Sequence, residues 1–215
     1  MPFIFCLPSR LFAAASGDGA GGWLVSGGKG VSNSDYFQTT EIYKPDGTWA
    51  AGPDLPTEFH SHCQVQVGTK VFIIGGRSVD DTSPSTFLLE NSGWKEMEPM
   101  KQPREFHACV EFLGNIYSIG GTAETGPIAT VEIYDTNTNT WKDGPELPIP
   151  LVYAQAFNYQ NTLYILGGSN NKQVFYLQPT STNWEVLNGV EVVEELRVFF
   201  PAAVVSSDVL EVCFE

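Results

Sequence analysis

The sequence predicts an all-β propeller, one domain of small four-stranded antiparallel blades set around a common axis. Three observations predict it. An apolar run closing on Gly-Gly occurs four times, as WLVSGG, VFIIGG, IYSIGG and LYILGG, ending at Gly28, Gly76, Gly121 and Gly168 with spacings of 48, 45 and 47 residues. A tryptophan follows each pair, at Trp49, Trp94, Trp141 and Trp184, with spacings of 45, 47 and 43. Between these markers, turn-forming residues cut each unit into four short strands. Two separate markers recurring in register at a period of forty to fifty residues are the pattern of stacked four-stranded blades.

Each unit runs through the same elements. An inner apolar strand comes first, as in CQVQV, ACVEFL and AQAFNY, and a tight turn leads to the Gly-Gly strand. A third strand lies in TEIYKPDGTW, TFLLENSGW, VEIYDTNTNTW and VFYLQPTSTNW, where Asp, Asn, Gly and Pro supply the turn before the tryptophan of the fourth. Pro-bearing connections, GPDLP, EPMKQP and GPELPIP, close the first three units, and NGVEVVEELRVFFP stands in the fourth. Glycine at the strand exit permits positive φ and close backbone approach. Tryptophan and tyrosine offer large flat surfaces to fill the space between blades.

These residues resemble the kelch repeat. The match lies in the Gly-Gly after an apolar strand, the tyrosine of EIY at Tyr43 and Tyr134, and the tryptophan about twenty residues past the glycines. Units one and three match almost fully, unit two has Leu88 in place of the tyrosine, and unit four has Tyr176 with a shortened loop. The resemblance covers nearly the whole chain. It implies a kelch-type propeller with four clear blades, at 8–54, 55–99, 100–147 and 148–189, and a partial fifth at 190–215. Pro201–Glu215 aligns with His107–Gly121 without a gap, but Phe214 and Glu215 replace the glycines. The ring is therefore expected either to be incomplete or to close through a strand at Phe3–Cys6.

The 215 residues carry 42% hydrophobic and 13% aromatic side chains, enough for a core. Asp plus Glu number 25 against 11 Lys plus Arg, a net charge of -14. That balance excludes a phosphate-binding surface for nucleic acid and disfavours an anionic membrane. A partner that is another protein or a peptide is expected. No apolar run reaches the length of a membrane span. The N-terminal stretch MPFIFCLPSRLFAAASG lacks a basic leader region and is read as the start of the first blade, which predicts a cytoplasmic protein; as a signal peptide it would predict a secreted one. The four cysteines, Cys6, Cys63, Cys109 and Cys213, are scattered, with no CxxC and no Asn-x-Ser/Thr sequon, a pattern suited to a reducing compartment. Cys63 and Cys109 fall in inner strands and read as core thiols.

The resemblance implies binding through two loop sets on one face, one following each Gly-Gly and the other preceding each inner strand. On this chain the first set brings Lys29, Tyr36, Arg77, Asp80, Asn170 and Lys172, and the second Arg10, Glu58, Arg104 and Tyr153. Arg10, Lys29, Tyr36, Arg77, Arg104, Tyr153 and Asn170 form the expected partner-binding set. Three of the four arginines lie in it, and an arginine fork suits a carboxylate of an acidic peptide. Arg10 and Arg104 occupy equivalent repeat positions, where an arginine can also simply cap a loop.

His60 and His62 flank Ser61 and share a face if the segment is a regular strand. His62 and His107 are repeat equivalents near the channel. No acidic or thiol ligand joins them, so no metal, cofactor or catalytic residue is assigned. No GxSxG, Walker or HExxH pattern occurs. The resemblance implies a non-enzymatic scaffold or adaptor, such as a ubiquitin-ligase substrate receptor or a cytoskeletal module. A galactose-oxidase-like copper enzyme on the same fold is the alternative.

Overall fold

The computed structural model describes residues 11–30, 36–79, 81–91, 93–169 and 171–191. The expected Phe3–Cys6 strand and the half blade at 201–215 lie outside them, as do Arg10, Asp80 and Asn170. Among the described residues there is no helix, and the strands form four antiparallel four-stranded sheets. Blade 1 holds β1 (Ala14–Gly17), β2 (Trp23–Ser26), β3 (Thr40–Tyr43) and β4 (Trp49–Ala51). Blade 2 holds β5 (Cys63–Val67), β6 (Lys70–Ile74), β7 (Thr86–Glu90) and β8 (Gly93–Met97). In blade 3, β9 (Ala108–Phe112) and β10 (Asn115–Ile119) are followed by a small ribbon, β11 (Thr122–Ala123) with β12 (Gly126–Pro127), then β13 (Val131–Asp135) and β14 (Thr140–Asp143). Blade 4 holds β15 (Ala154–Tyr159), β16 (Thr162–Gly167), β17 (Gln173–Leu177) and β18 (Glu185–Glu191). The kelch-type all-β propeller expected from the repeats is the fold observed.

Each blade is a meander, so its two faces alternate along every strand and one face meets the blade before it, the other the blade after. The inner strands β1, β5, β9 and β15 pack side by side in that order. Phe72, Ile74 and Leu88 of blade 2 meet Ile116, Tyr134 and Trp141 of blade 3 in one cluster. Val110, Phe112, Val131 and Ile133 of blade 3 meet Leu163, Ile165, Phe175 and Trp184 of blade 4 in another. Fully burying such a side chain contributes about 1.5–3 kcal/mol, so the junctions carry much of the stability.

The repeated glycines and tryptophans act at these junctions. The second glycine of the first three pairs donates its N–H to the incoming chain of the next blade: Gly28 to Phe59 O at 2.7 Å, Gly76 to Arg104 O at 2.8 Å and Gly121 to Leu151 O at 2.7 Å. The tryptophans of blades 2 to 4 reach back to the preceding blade and donate their indole N–H to a backbone carbonyl: Trp94 to Pro53 at 2.9 Å, Trp141 to Glu98 and Trp184 to Pro145, both at 2.8 Å.

The inner-strand cysteines depart from the sequence reading. Cys63 and Cys109 are joined as a disulfide, with Cα atoms 5.9 Å apart. They are not the separate core thiols expected. Cys63 faces the following blade, and Cys109, one repeat position further along its own strand, faces the preceding one, so both sulfurs enter the junction between blades 2 and 3.

Candidate functional site

The backbone builds the site. A residue just before the inner strand, two places ahead of it in blades 1 to 3 and one place ahead in blade 4, has left-handed φ: 57° at Phe12, 55° at Ser61, 53° at Phe106 and 64° at Tyr153. Non-glycine residues occupy that region rarely and at a cost. Here neighbouring blades hold them there: Ser61 N–H donates to Phe12 O at 2.9 Å, Phe106 to Ser61 O at 3.0 Å and Tyr153 to Phe106 O at 3.0 Å. The result is a relay of backbone hydrogen bonds passing from blade to blade.

The same turns join the two expected loop sets. Leu11 bridges Lys29, His60 bridges Arg77 and Glu105 bridges Thr122, while Ser169 N–H donates to Val152 O at 2.9 Å. Each residue after a Gly-Gly is thus fastened to the residue preceding a relay position, and both sets lie on one face.

On that face the side chains form an aromatic group. The Phe12 ring lies 5.5 Å from Phe106 edge-on and 6.5 Å from His60, and Phe106 lies 4.5 Å from Tyr153. Tyr36 stacks on His60 at 5.2 Å, and the Lys29 ammonium sits 5.5 Å from the Tyr36 ring centre. Phe12, Tyr36, Phe106 and Tyr153 are each half-buried, leaving ring surface open to a ligand.

Charge is sparse but arranged. Arg77 Nη1 lies 3.4 Å from Glu105 Oε1 and 3.5 Å from Thr82 Oγ1, with its side chain 42% exposed. That is long for a charge-assisted bond, so the guanidinium is loosely held. Burial lowers the His60 pKa, and the Lys29 and Arg77 charges lower it further. Burial raises Glu105 against the opposing pull of Arg77. Burial, then the Glu105 charge, raises the Tyr153 hydroxyl. Lys29 and Arg77 therefore make a positive spot on a chain of net charge -14.

Of the expected set, the structure brings Lys29, Tyr36, Arg77 and Tyr153 to this face. Arg10 and Asn170 lie outside the described residues. Arg104 goes elsewhere: its side chain is fully buried and reaches Glu132 Oε1 at 2.9 Å, Thr130 O at 2.8 Å, Thr130 Oγ1 at 3.2 Å and Gly120 O at 3.1 Å. An arginine so committed is not presented to a partner. Phe12, His60 and Phe106 join the site without having been expected there. Aromatic residues recurring just ahead of the inner strands were the available signal.

The histidines also separate. Because Ser61 takes a left-handed φ, strand alternation fails across it; His60 stacks on Tyr36 while His62 turns into the junction with blade 1. Ser26 Oγ–H donates to Gln64 Oε1, so its oxygen accepts from His62 Nε2–H at 2.8 Å, which leaves buried Nδ1 unprotonated and without a hydrogen bond. Burial, and then the His60 charge, pushes the His62 pKa down to about 3. Burial, then Arg104 and His62, holds His107 well below its usual range. Among the described residues, no group of three His, Cys, Asp or Glu is placed to hold a metal.

A pH dependence of folding follows. Both imidazoles stay neutral when folded but take up protons near the ordinary histidine pKa when unfolded. The unfolded state therefore binds more protons as pH falls from about 6.5 toward 3, and stability falls with it. At pH 5 His62 alone should cost about 2 kcal/mol relative to pH 7.5, with His107 adding to it and Glu105, whose pKa is raised, partly offsetting it. Urea midpoints should drop accordingly between pH 7.5 and 5. Equal midpoints would show that these imidazoles are not buried neutral.

A cavity of about 340 Å³ opens between blades 3 and 4, lined by Phe112, Tyr117, Leu177 and Asp143 among others. It brings one carboxylate and lies away from the loop face. Among the described residues, no helix is long and apolar enough to cross a membrane.

Residues 20–212 match the KLHDC2/KLHL20/DRC7 Kelch-repeats domain. The chain is similar to Kelch-like protein 40 of Xenopus laevis, 25% identical over 167 residues that make up 75% of this chain and 27% of that protein. It is 32% identical over 123 residues to Kelch-like protein 41b of Danio rerio, covering 56% of this chain and 20% of that one. With Kelch-like protein 33 of Homo sapiens it shares 31% identity over 127 residues, 56% and 24% of the two chains. The chain spans about a quarter of the length of these relatives.

Proposed function

Since this chain belongs to the kelch-repeat family, we propose that it is a non-enzymatic binding module that takes a peptide segment of another protein on the loop face. The convergence of both loop sets into one aromatic group, edged by Lys29 and Arg77, carries this reading. Flat rings offer contact area at low entropic cost, and a central aromatic and arginine cluster is the usual composition of a binding hot spot. Arg77, held at 3.4 Å by Glu105, can exchange that carboxylate for one on the ligand, so the peptide is acidic beside an apolar or aromatic residue. A role as substrate receptor or cytoskeletal adaptor fits such a module. The cytoplasmic placement read from the sequence belongs to the same proposal, and there a disulfide is characteristically transient or regulatory.

The test pairs a pull-down with a titration. A partner segment identified by cross-linking mass spectrometry should bind the Tyr36→Ala/Arg77→Ala variant tenfold or more weakly, a loss of about 1.4 kcal/mol, with the melting temperature unchanged. Unchanged affinity would move the contact off this face.

A further inference from the structure

Among the described residues, the three blade junctions use three different chemistries at the same pair of repeat positions. Between blades 1 and 2, Ala14 stands opposite Gln64, whose amide donates to Ser16 Oγ at 2.9 Å and Leu24 O at 2.8 Å. Between blades 3 and 4 the equivalent residues are Ala108 and Ala156. Among the described residues, only the junction between blades 2 and 3 places cysteine sulfur on both sides, at Cys63 and Cys109. That junction is also fastened by Gly76 N–H to Arg104 O at 2.8 Å, Phe106 N–H to Ser61 O at 3.0 Å, and the cluster of Phe72, Ile74, Met100, Tyr134 and Trp141. The blades are therefore held by more than the sulfur bond, which can open without unfolding them.

What distinguishes the bond is its place. Cys63 lies two residues beyond Ser61, and Cys109 three beyond Phe106, the two relay residues of this junction. Arg77 of blade 2 and Glu105 of blade 3 face each other across the same junction. Cys63 is buried, whereas Cys109 is half-buried and is the sulfur within reach of a small thiol.

We propose that Cys63 and Cys109 form a reversible thiol–disulfide pair, exchanged with glutathione, that sets the rigidity of the loop face through the junction between blades 2 and 3. As a regulation of the binding face it rests on the reading given under Proposed function. In oxidation, the Cys109 thiolate attacks one sulfur of glutathione disulfide, forming a mixed disulfide and releasing one glutathione. The Cys63 thiolate then attacks Cys109 Sγ and releases the second glutathione. The protein loses two thiol protons and two electrons, and two molecules of glutathione carry them away. Reduction runs through the same steps in reverse.

The experiment needs no partner. The chain is equilibrated in glutathione buffers from fully reduced to fully oxidised, quenched with acid, alkylated under denaturing conditions and mapped by mass spectrometry. Amide hydrogen exchange at Ser61, Phe106 and Tyr153 is followed in parallel. The expected result is a Cys63–Cys109 linked peptide that appears and disappears with the glutathione ratio. Exchange at Ser61 and Phe106 should be at least tenfold faster in the reduced chain, with the blades still folded and melting lowered by about 10 °C. Cys63→Ser should exchange like the reduced chain at every ratio. A pair that stays as thiols in oxidised buffer, a bond that glutathione never reduces, or exchange that ignores the bond would each overturn the proposal. Because the readout is exchange and thiol content, a failure here is distinct from a failure of peptide binding.

Discussion

Replacing Gly120 by valine is expected to lower stability by about 4 kcal/mol, or roughly 10 °C in melting temperature. Two costs combine. Gly120 sits at φ +62°, where a β-branched residue is strained, and a Cβ there would meet Leu151 O at 2.6 Å. That oxygen cannot retreat, because it accepts from Gly121 N–H at 2.7 Å. The carbonyl belongs to the chain entering blade 4, so relief would require the blades to separate. Gly114 is the internal control, at φ +78° with nothing within 4 Å of its Cβ position. Gly114→Ala should cost only the backbone term, about 1 kcal/mol. Equal losses at the two sites in chemical denaturation would show that the close approach of the next blade is not what requires Gly120.

Glu132→Ala should cost about 3–5 kcal/mol, because it leaves a buried guanidinium without its counter-charge. Burial already lowers the Arg104 pKa, and the Glu132 charge and hydrogen bond oppose that shift. The carboxylate also accepts from the backbone N–H of Lys101 at 2.8 Å and of Gln102 at 3.1 Å. The neighbouring junction shows the apolar solution. There the equivalent pair is Phe59 and Phe87, with ring centres 5.8 Å apart. Arg104→Phe with Glu132→Phe should therefore recover much of the stability lost by Glu132→Ala alone, apart from the two backbone bonds. A double variant no more stable than the single one in urea unfolding would show that the ion pair is needed for more than filling the position.

The same comparison explains what the sequence revealed and what it hid. Strand order, the glycine pairs and the tryptophans were legible because each reports a recurring local requirement, such as an exit without Cβ or a broad ring against the preceding blade. Arg104 reads as a contact residue because it falls in the loop set that precedes the inner strands. Its repeat equivalents Phe59 and Leu151 are both buried, and that register placed its side chain inward. The Cys63–Cys109 pairing was hidden by looking at sequence spacing alone; strand parity sends adjacent repeat positions to opposite faces, so the two sulfurs of successive blades converge. His60 and His62 were misjudged because serine, like phenylalanine and tyrosine, gives no local sign of a left-handed φ. The relay across blades imposes it at Phe12, Ser61, Phe106 and Tyr153, and the aromatic group on the loop face follows from that imposed geometry.

The tryptophan fastening bears on how such a chain arises. The indoles of Trp94, Trp141 and Trp184 each bond a main-chain oxygen, and the residues supplying that oxygen are Pro53, Glu98 and Pro145. Because every residue type carries the acceptor, the connection places no demand on the side chain at that point. A duplicated unit would dock on its neighbour at once, and its connecting segment could then drift freely in sequence. Gene duplication can lengthen such an array and substitution can diversify its loops, while the joint between units stays the same.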